Sequence, residues 1–124
     1  MAVCIVIIGG SVRDERQNGK ALRFAQESLK QRGHDVSVID PKEDEFPLLN
    51  KMWKEYEEGE APNVLERGAQ KIKEADGVLL VSPEYNHSVP PALKNVLDHY
   101  LDIFFSRRPL SCVTASDPLA AYEL

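Results

Sequence analysis

Excess basic charge, clustered cysteine, long apolar runs and internal repeats are all missing from this sequence, and each absence removes a class of function. The formal net charge is −5, so there is no basic stripe to displace counterions from phosphates and no nucleic-acid partner is expected. Nor do lysines and arginines gather into a polybasic membrane patch. The only cysteines, Cys4 and Cys112, belong to no Cys-x-x-Cys or metal-ligand spacing. Both lie in apolar or β-like runs, which predicts two buried thiols in a reducing compartment. His34, His87 and His99 also lack metal-ligand spacing, so no metal is expected. The N-terminal apolar run at 2–8 has no basic residue before it. It is too short for a signal peptide or a membrane span, which predicts a cytoplasmic protein with no membrane partner.

What remains is an alternation of strand-like and helix-like segments. The 124 residues, 43% of them hydrophobic, suffice for one domain with one core. Val3-Cys4-Ile5-Val6-Ile7-Ile8 is a β-branched run of the kind buried on both faces of a parallel sheet. A helix is predicted over 19–32, with Leu22, Ala25 and Leu29 on one stripe and Gly33 as its stop. A second strand at 35–39 is closed by Asp40-Pro41. Residues 41–61 read as acidic and irregular, apart from Phe46-Pro47-Leu48-Leu49 and an aromatic group at Trp53 and Tyr56. Those rings fit a lid or subunit contact, or equally a satellite cluster tying the segment down. Pro62 suits the first turn of a helix carrying Leu65, Ala69, Ile72 and Ala75. A third strand follows at 78–81. Ser88 is placed to cap a helix that accepts Pro90 and Pro91 in its first turn and keeps its period through Leu93, Val96, Leu97, Tyr100 and Phe104. A fourth strand is predicted at 110–115. Such alternation means an α/β fold with a doubly wound parallel sheet.

Two loops carry the chemistry. Between the first strand and helix runs Gly9-Gly10-Ser11-Val12-Arg13-Asp14-Glu15-Arg16-Gln17-Asn18-Gly19-Lys20. A helix N-terminus favours phosphate. Ser11 and Asn18 add neutral hydrogen bonds, Arg13 and Arg16 charge-assisted ones. The alternative is that Ser11 merely caps its turn and the arginines pair with Asp14 or Glu15. A dinucleotide fingerprint is excluded by the missing third glycine, and a Walker loop by Asp14 and Ala21 at its first glycine and hydroxyl positions. The second loop, Ser82-Pro83-Glu84-Tyr85-Asn86-His87-Ser88, leaves the third strand. With the first and third strands adjacent, it would face the first loop where sheet order reverses, a place suited to a mononucleotide such as FMN. Backbone N–H groups from Glu84 to His87 would meet the ring. The bland alternatives are a surface tyrosine and a solvated histidine. Ser11, His87 and Asp98 form a hydrolase set only on paper, because Ser11 is in no Gly-x-Ser-x-Gly elbow.

Gly10-Ser11-Val12-Arg13 with Asn18-Gly19, then Ser82 through Ser88 with Pro91-Ala92-Leu93-Lys94-Asn95, resemble the NAD(P)H-dependent FMN reductases of flavodoxin-like fold. Quinone, azo-dye and chromate reductases are among their relatives. The likeness runs over about residues 2–114 and implies a strand order of 2-1-3-4. It implies that Ser11, Arg13 and Asn18 hold the FMN phosphate, with Arg16 where many members have a second serine. Pro83, Glu84, Tyr85 and Asn86 would hold the isoalloxazine. It further implies NAD(P)H as co-substrate, a quinone or similar small-molecule acceptor, and a homo-oligomer. No catalytic side chain is expected, since the flavin carries the chemistry and the protein orients it. Members also carry a fifth strand and a glycine-rich third loop, where this chain has Ser116-Asp117-Pro118-Leu119 and then stops at Leu124. The expectation is therefore one flavodoxin-like FMN-binding domain over 1–124, C-terminally incomplete, with weakened FMN affinity. The competing reading is a catalytically silent member that acts by association with full-length subunits.

Overall fold

Alternation of side chains along the first strand sets the layers. β1 (Cys4–Gly9) is bordered in register by β2 (Asp35–Ile39) on one side and β3 (Gly77–Pro83) on the other. Beyond β3 lies β4 (Leu110–Ala115), giving an all-parallel sheet of order β2-β1-β3-β4. This is the expected doubly wound arrangement. The computed structural model describes residues 2–13, 18–86, 88–104 and 109–115.

Ile5 and Ile7 turn to one face of the sheet, where α1 (Asn18–Gln31) lays Leu22, Ala25 and Leu29 against Val36, Val38 and Val81. Val6 and Ile8 turn to the other, against Leu65, Ala69 and Ile72 of α3 (Asn63–Glu74) and Leu93 and Val96 of α4 (Pro91–His99). Val6, Ile7 and Ile8 are fully buried. Each such side chain contributes roughly 1.5–3 kcal/mol, enough to outweigh any local preference of the chain at this strand. Gly33, at φ 85, ends α1 with paired bonds, His34 N–H to Leu29 O and Gly33 N–H to Lys30 O. That is a Schellman stop, as the glycine predicts.

Three local expectations change. The segment after β2 is not irregular throughout: Asp40 caps a short helix, α2 (Pro41–Asp44), by accepting from Lys42 N–H, and a 3-10 turn covers Trp53–Glu55. Proline at the first helical position explains the start. Ser88 does not cap α4. It exchanges backbone hydrogen bonds with Tyr85, and Pro90 precedes the first turn instead. The thiols are not both buried either. Cys4 is half-buried, whereas Cys112 is exposed, because β4 pairs extensively only with β3 among the described elements.

Trp53 and Tyr56 pack against the core, with the Lys73 ammonium 4.3 Å from the Trp53 ring and that of Lys51 4.6 Å from the Tyr56 ring. The rings tie the segment down as a satellite cluster. The stretch before them is anchored to α4: Asn95 donates to Pro47 O (2.8 Å) and accepts from Leu49 N–H (2.8 Å), and His99 Nε2 donates to Pro47 O at 3.0 Å. After α4 the chain turns at Tyr100 into α5 (Leu101–Phe104). The Tyr100 hydroxyl donates to Leu65 O at 3.0 Å, and Phe46 meets its ring edge-on. Burial, with Asp44 and Glu66 nearby, pushes this phenol well above its usual range. No described helix is long and apolar enough to cross a membrane.

A β-carbon on Gly68 would run into the Tyr100 hydroxyl. Gly68→Ala should therefore destabilise by about 1–3 kcal/mol through overpacking, seen as a lower urea midpoint; an unchanged midpoint would mean Tyr100 swings aside freely. The thiols supply a second check. Burial, then the carboxylates of Asp35, Asp76 and Glu74, push the Cys4 thiol up. Iodoacetamide in mildly alkaline solution should alkylate Cys112 well before Cys4, and equal rates by mass spectrometry would contradict the strand placement.

Candidate functional site

Because β1 pairs with both β2 and β3, the chain leaves β1 and β3 at neighbouring points on the C-terminal edge of the sheet, with β2 on the opposite side. This is the topological switch point of an open α/β sheet. Gly10 N–H still donates to Val81 O at 2.9 Å, so the two chains run close beyond the strands. A β-carbon on Gly10 would lie 3.1 Å from the Ser82 α-carbon and 3.2 Å from Pro83 Cδ. A larger residue would fit there only if the second loop gave way by a few tenths of an ångström.

Ser11, only 2% exposed, holds the loops together. Its Oγ lies 2.9 Å from the Tyr85 hydroxyl, a contact between residues 74 apart in sequence. Either hydroxyl can donate. Ser11 Oγ also accepts from Arg13 N–H at 3.3 Å, so it caps its own turn and reaches the second loop as well. Arg13 is exposed, and its guanidinium carbon stands 5.9 Å from the centre of the Tyr85 ring, within the range of a cation–π contact.

The second loop closes tightly. Tyr85 N–H donates to Ser88 O (3.2 Å) and Ser88 N–H to Tyr85 O (3.0 Å), while Asn86 takes the left-handed conformation at φ 52. Asparagine is one of few residues besides glycine that visits this region routinely. The Tyr85 N–H, one of the donors expected to meet a ring, thus serves the turn. Pro83 ends β3 and Glu84 is exposed.

Of the residues expected at the site, Ser11, Arg13, Pro83, Glu84, Tyr85 and Asn86 converge on this edge of the sheet. Asn18 opens α1, which places its backbone at the N-terminus of the helix following the first loop. Arg16 and His87 lie outside the described residues, as do Asp14, Glu15 and the third loop at 116–119. Asp98 is not drawn toward Ser11; it pairs with Lys94 on α4 at 2.6 Å. Among the described residues no group of three His, Cys, Asp or Glu side chains could hold a metal ion.

One further residue was not anticipated. Lys42, in α2, donates from Nζ to Arg13 O at 3.0 Å and so braces the first loop from the β2 side. Its clue is Asp40-Pro41, which reads as a helix start beside β1's exit once β2 is known to flank β1. Arg13, Lys42, a hydroxyl and a helix N-terminus make a donor set suited to a phosphate. Tyr85 adds an aromatic face beside that donor set, so the chemistry of the residues present fits FMN.

Comparison with known proteins gives the same picture. A "2-hydroxy-1,4-benzoquinone reductase" of Burkholderia is 31% identical over 102 residues, covering 79% of this chain and 50% of that protein. The "Quinone reductase" of Escherichia coli K12 is 36% identical over 94 residues, covering 76% and 48% respectively. This chain spans about half the length of these curated relatives. Among solved structures, a flavoenzyme NAD(P)H:(acceptor) oxidoreductase from Paracoccus denitrificans superposes with a TM-score of 0.69 at 24% identity, over 90% of this chain and 60% of that one. Such a likeness speaks to the flavodoxin-like fold alone. The sequence profile described as "NADPH-dependent FMN reductase" matches residues 3–120, and the chain belongs to that family.

Proposed function

We propose that this chain forms the flavin-binding part of an FMN-dependent NAD(P)H oxidoreductase that passes electrons to a quinone or similar small acceptor. The observation that carries this reading is the 2.9 Å contact between Ser11 and Tyr85, which makes a phosphate-type loop and a ring-type loop into one site. Ser11, Arg13, Arg16 and Asn18 would hold the phosphate, and Pro83, Glu84, Tyr85 and Asn86 the ring. Lys42 joins the first group by holding the Arg13 backbone. Bound FMN would supply hydride transfer from nicotinamide and onward reduction of the acceptor. The chain's residues would orient the ring and neutralise the phosphate. The names of the Burkholderia and Escherichia coli relatives support a quinone-type acceptor.

FMN titration followed by flavin fluorescence tests this. One-to-one binding, together with NADPH oxidation when benzoquinone is added, is the expected result; no binding at high flavin concentration would end the reading. Ser11→Ala should weaken FMN by roughly 10- to 100-fold, the worth of a hydrogen bond to a charged group. Arg13→Ala should cost less, and its effect should fade in salt because Arg13 is exposed.

The chain also associates with itself in this proposal. Leu48 (85% exposed), Val89 and Leu101 are apolar side chains left in solvent around α4, where a second copy would cover them. Analytical ultracentrifugation should show a dimer that Leu48→Asp weakens; a wild-type monomer at high concentration would contradict it.

A further inference from the structure

We propose that Asn95, on the helix that follows the ring loop, is a positioning residue for the phosphate half of the site. It acts on the loop after β1 through the 46–49 stretch, α2 and Lys42. The inference rests on the flavin reading above. Asn95 belongs to the run Pro91-Ala92-Leu93-Lys94-Asn95, which the proposed site does not otherwise use. Its side chain grips both neighbours of Leu48, donating to Pro47 O and accepting from Leu49 N–H, each at 2.8 Å. His99, buried one helical turn further along α4, gives Pro47 O a second donor at 3.0 Å. Proline has no N–H, so its carbonyl is the backbone group by which this stretch is held, and both lone pairs are taken.

From there the constraint passes along the chain toward the first loop. Phe46 packs against the core, its ring 6.1 Å from both the His99 and the Tyr100 rings. Glu45 before it stands at φ 53 and ψ 56. Among the described residues other than glycine, only Glu45 and Asn86 take a positive φ. A glutamate does so at a cost, because its β-carbon crowds the following carbonyl and it lacks asparagine's short local hydrogen bond. Such a conformation persists where both flanks are fixed. On the other flank α2 is one closed turn: Asp44 N–H donates to Asp40 O at 2.8 Å, and Asp44 Oδ2 accepts from Asp40 N–H at 2.9 Å. That turn presents Lys42 Nζ to Arg13 O at 3.0 Å. The Arg13 backbone is thus placed, through a strained residue, by where α4 holds Pro47 and Leu49.

Both halves of the site are in this way referred to one helix. α4 continues the chain from the ring loop, and it reaches the phosphate loop across the 46–49 stretch. Releasing Asn95 frees the backbone at 46–49, lets Glu45 relax toward negative φ and withdraws α2 with Lys42. The loop that would meet the phosphate is disturbed, while the ring loop stays closed by the bonds between Tyr85 and Ser88. Asn95 therefore governs how much the flavin's phosphate adds to binding, not how the ring is held.

Fluorescence titrations with FMN and riboflavin on wild type, Asn95→Ala, Lys42→Met and the double variant test this, together with amide exchange by mass spectrometry on the flavin-free proteins. Asn95→Ala should weaken FMN about three- to tenfold and riboflavin less than about twofold. Added to Lys42→Met it should cost less than about a further twofold, because both changes act on one chain of contacts. In Asn95→Ala, exchange should quicken at 42–49 and also at 10–13. Equal loss of both flavins, additive losses in the double variant, or exchange that quickens at 46–49 alone would each overturn the inference and leave the flavin reading standing. Wild-type protein that binds neither flavin would end the flavin reading, and exchange at 10–13 would then decide alone whether Asn95 sets that loop. Should Asn95→Ala not fold, Asn95→Asp takes its place. It keeps an acceptor for Leu49 N–H but loses the donor to Pro47 O, and an unchanged ratio of FMN to riboflavin affinity rejects the proposal.

Discussion

Burial of β1 on both faces and on both edges is the constraint from which the other features follow. Each residue of Val6-Ile7-Ile8 is sealed from water, alternately by α1 and by α3 and α4. The strand's hydrogen bonds go to β2 on one side and β3 on the other. A strand so placed must give up its chain at the switch point, and the next strand but one must end beside it. The juxtaposition of the two loops is thus a consequence of core packing. The loops themselves contribute the close approach at Gly10 and one hydroxyl pair.

The same logic explains why the acidic stretch between β2 and α3 does not drift. It has little regular structure, yet Phe46 packs against the core and meets Tyr100 edge-on, and Pro47 and Leu49 are bonded to α4. Lys51 and Lys73 cover Tyr56 and Trp53. Charged side chains lying over aromatic faces let a net-acidic segment sit on the protein without burying unpaired carboxylates. Its first turn carries Lys42 to Arg13, so a segment that looks like a connector braces the loop after β1.

Much of this was legible residue by residue. The β-branched run at 3–8, Gly33 as a helix stop and the apolar stripe of Leu65, Ala69 and Ile72 reflect short-range rules of backbone and side-chain period. The two loops were recognisable by their residue types and by their position after strands. Less legible were contacts between residues far apart in sequence. Nothing local to Tyr85 indicates that its hydroxyl reaches Ser11, and nothing near Lys42 points to Arg13. Ser88 reads as a helix cap because serine is favoured at N-caps and proline in the first turn; the turn with Tyr85 took its backbone instead. Cys112 sits in a run that reads as a strand, but its exposure depends on which elements pack against β4.

The amino-acid sequence by itself determined the alternation of strands and helices, the parallel sheet and the position of the two loops after their strands. These depend on periodicity and on turn chemistry, which act over a few residues. Tertiary structure alone decided how the loops meet: the close approach at Gly10, the bond from Ser11 to Tyr85, and the brace from Lys42. Those contacts join segments 29 to 74 residues apart, and their geometry is set by the packing of the sheet between its helices.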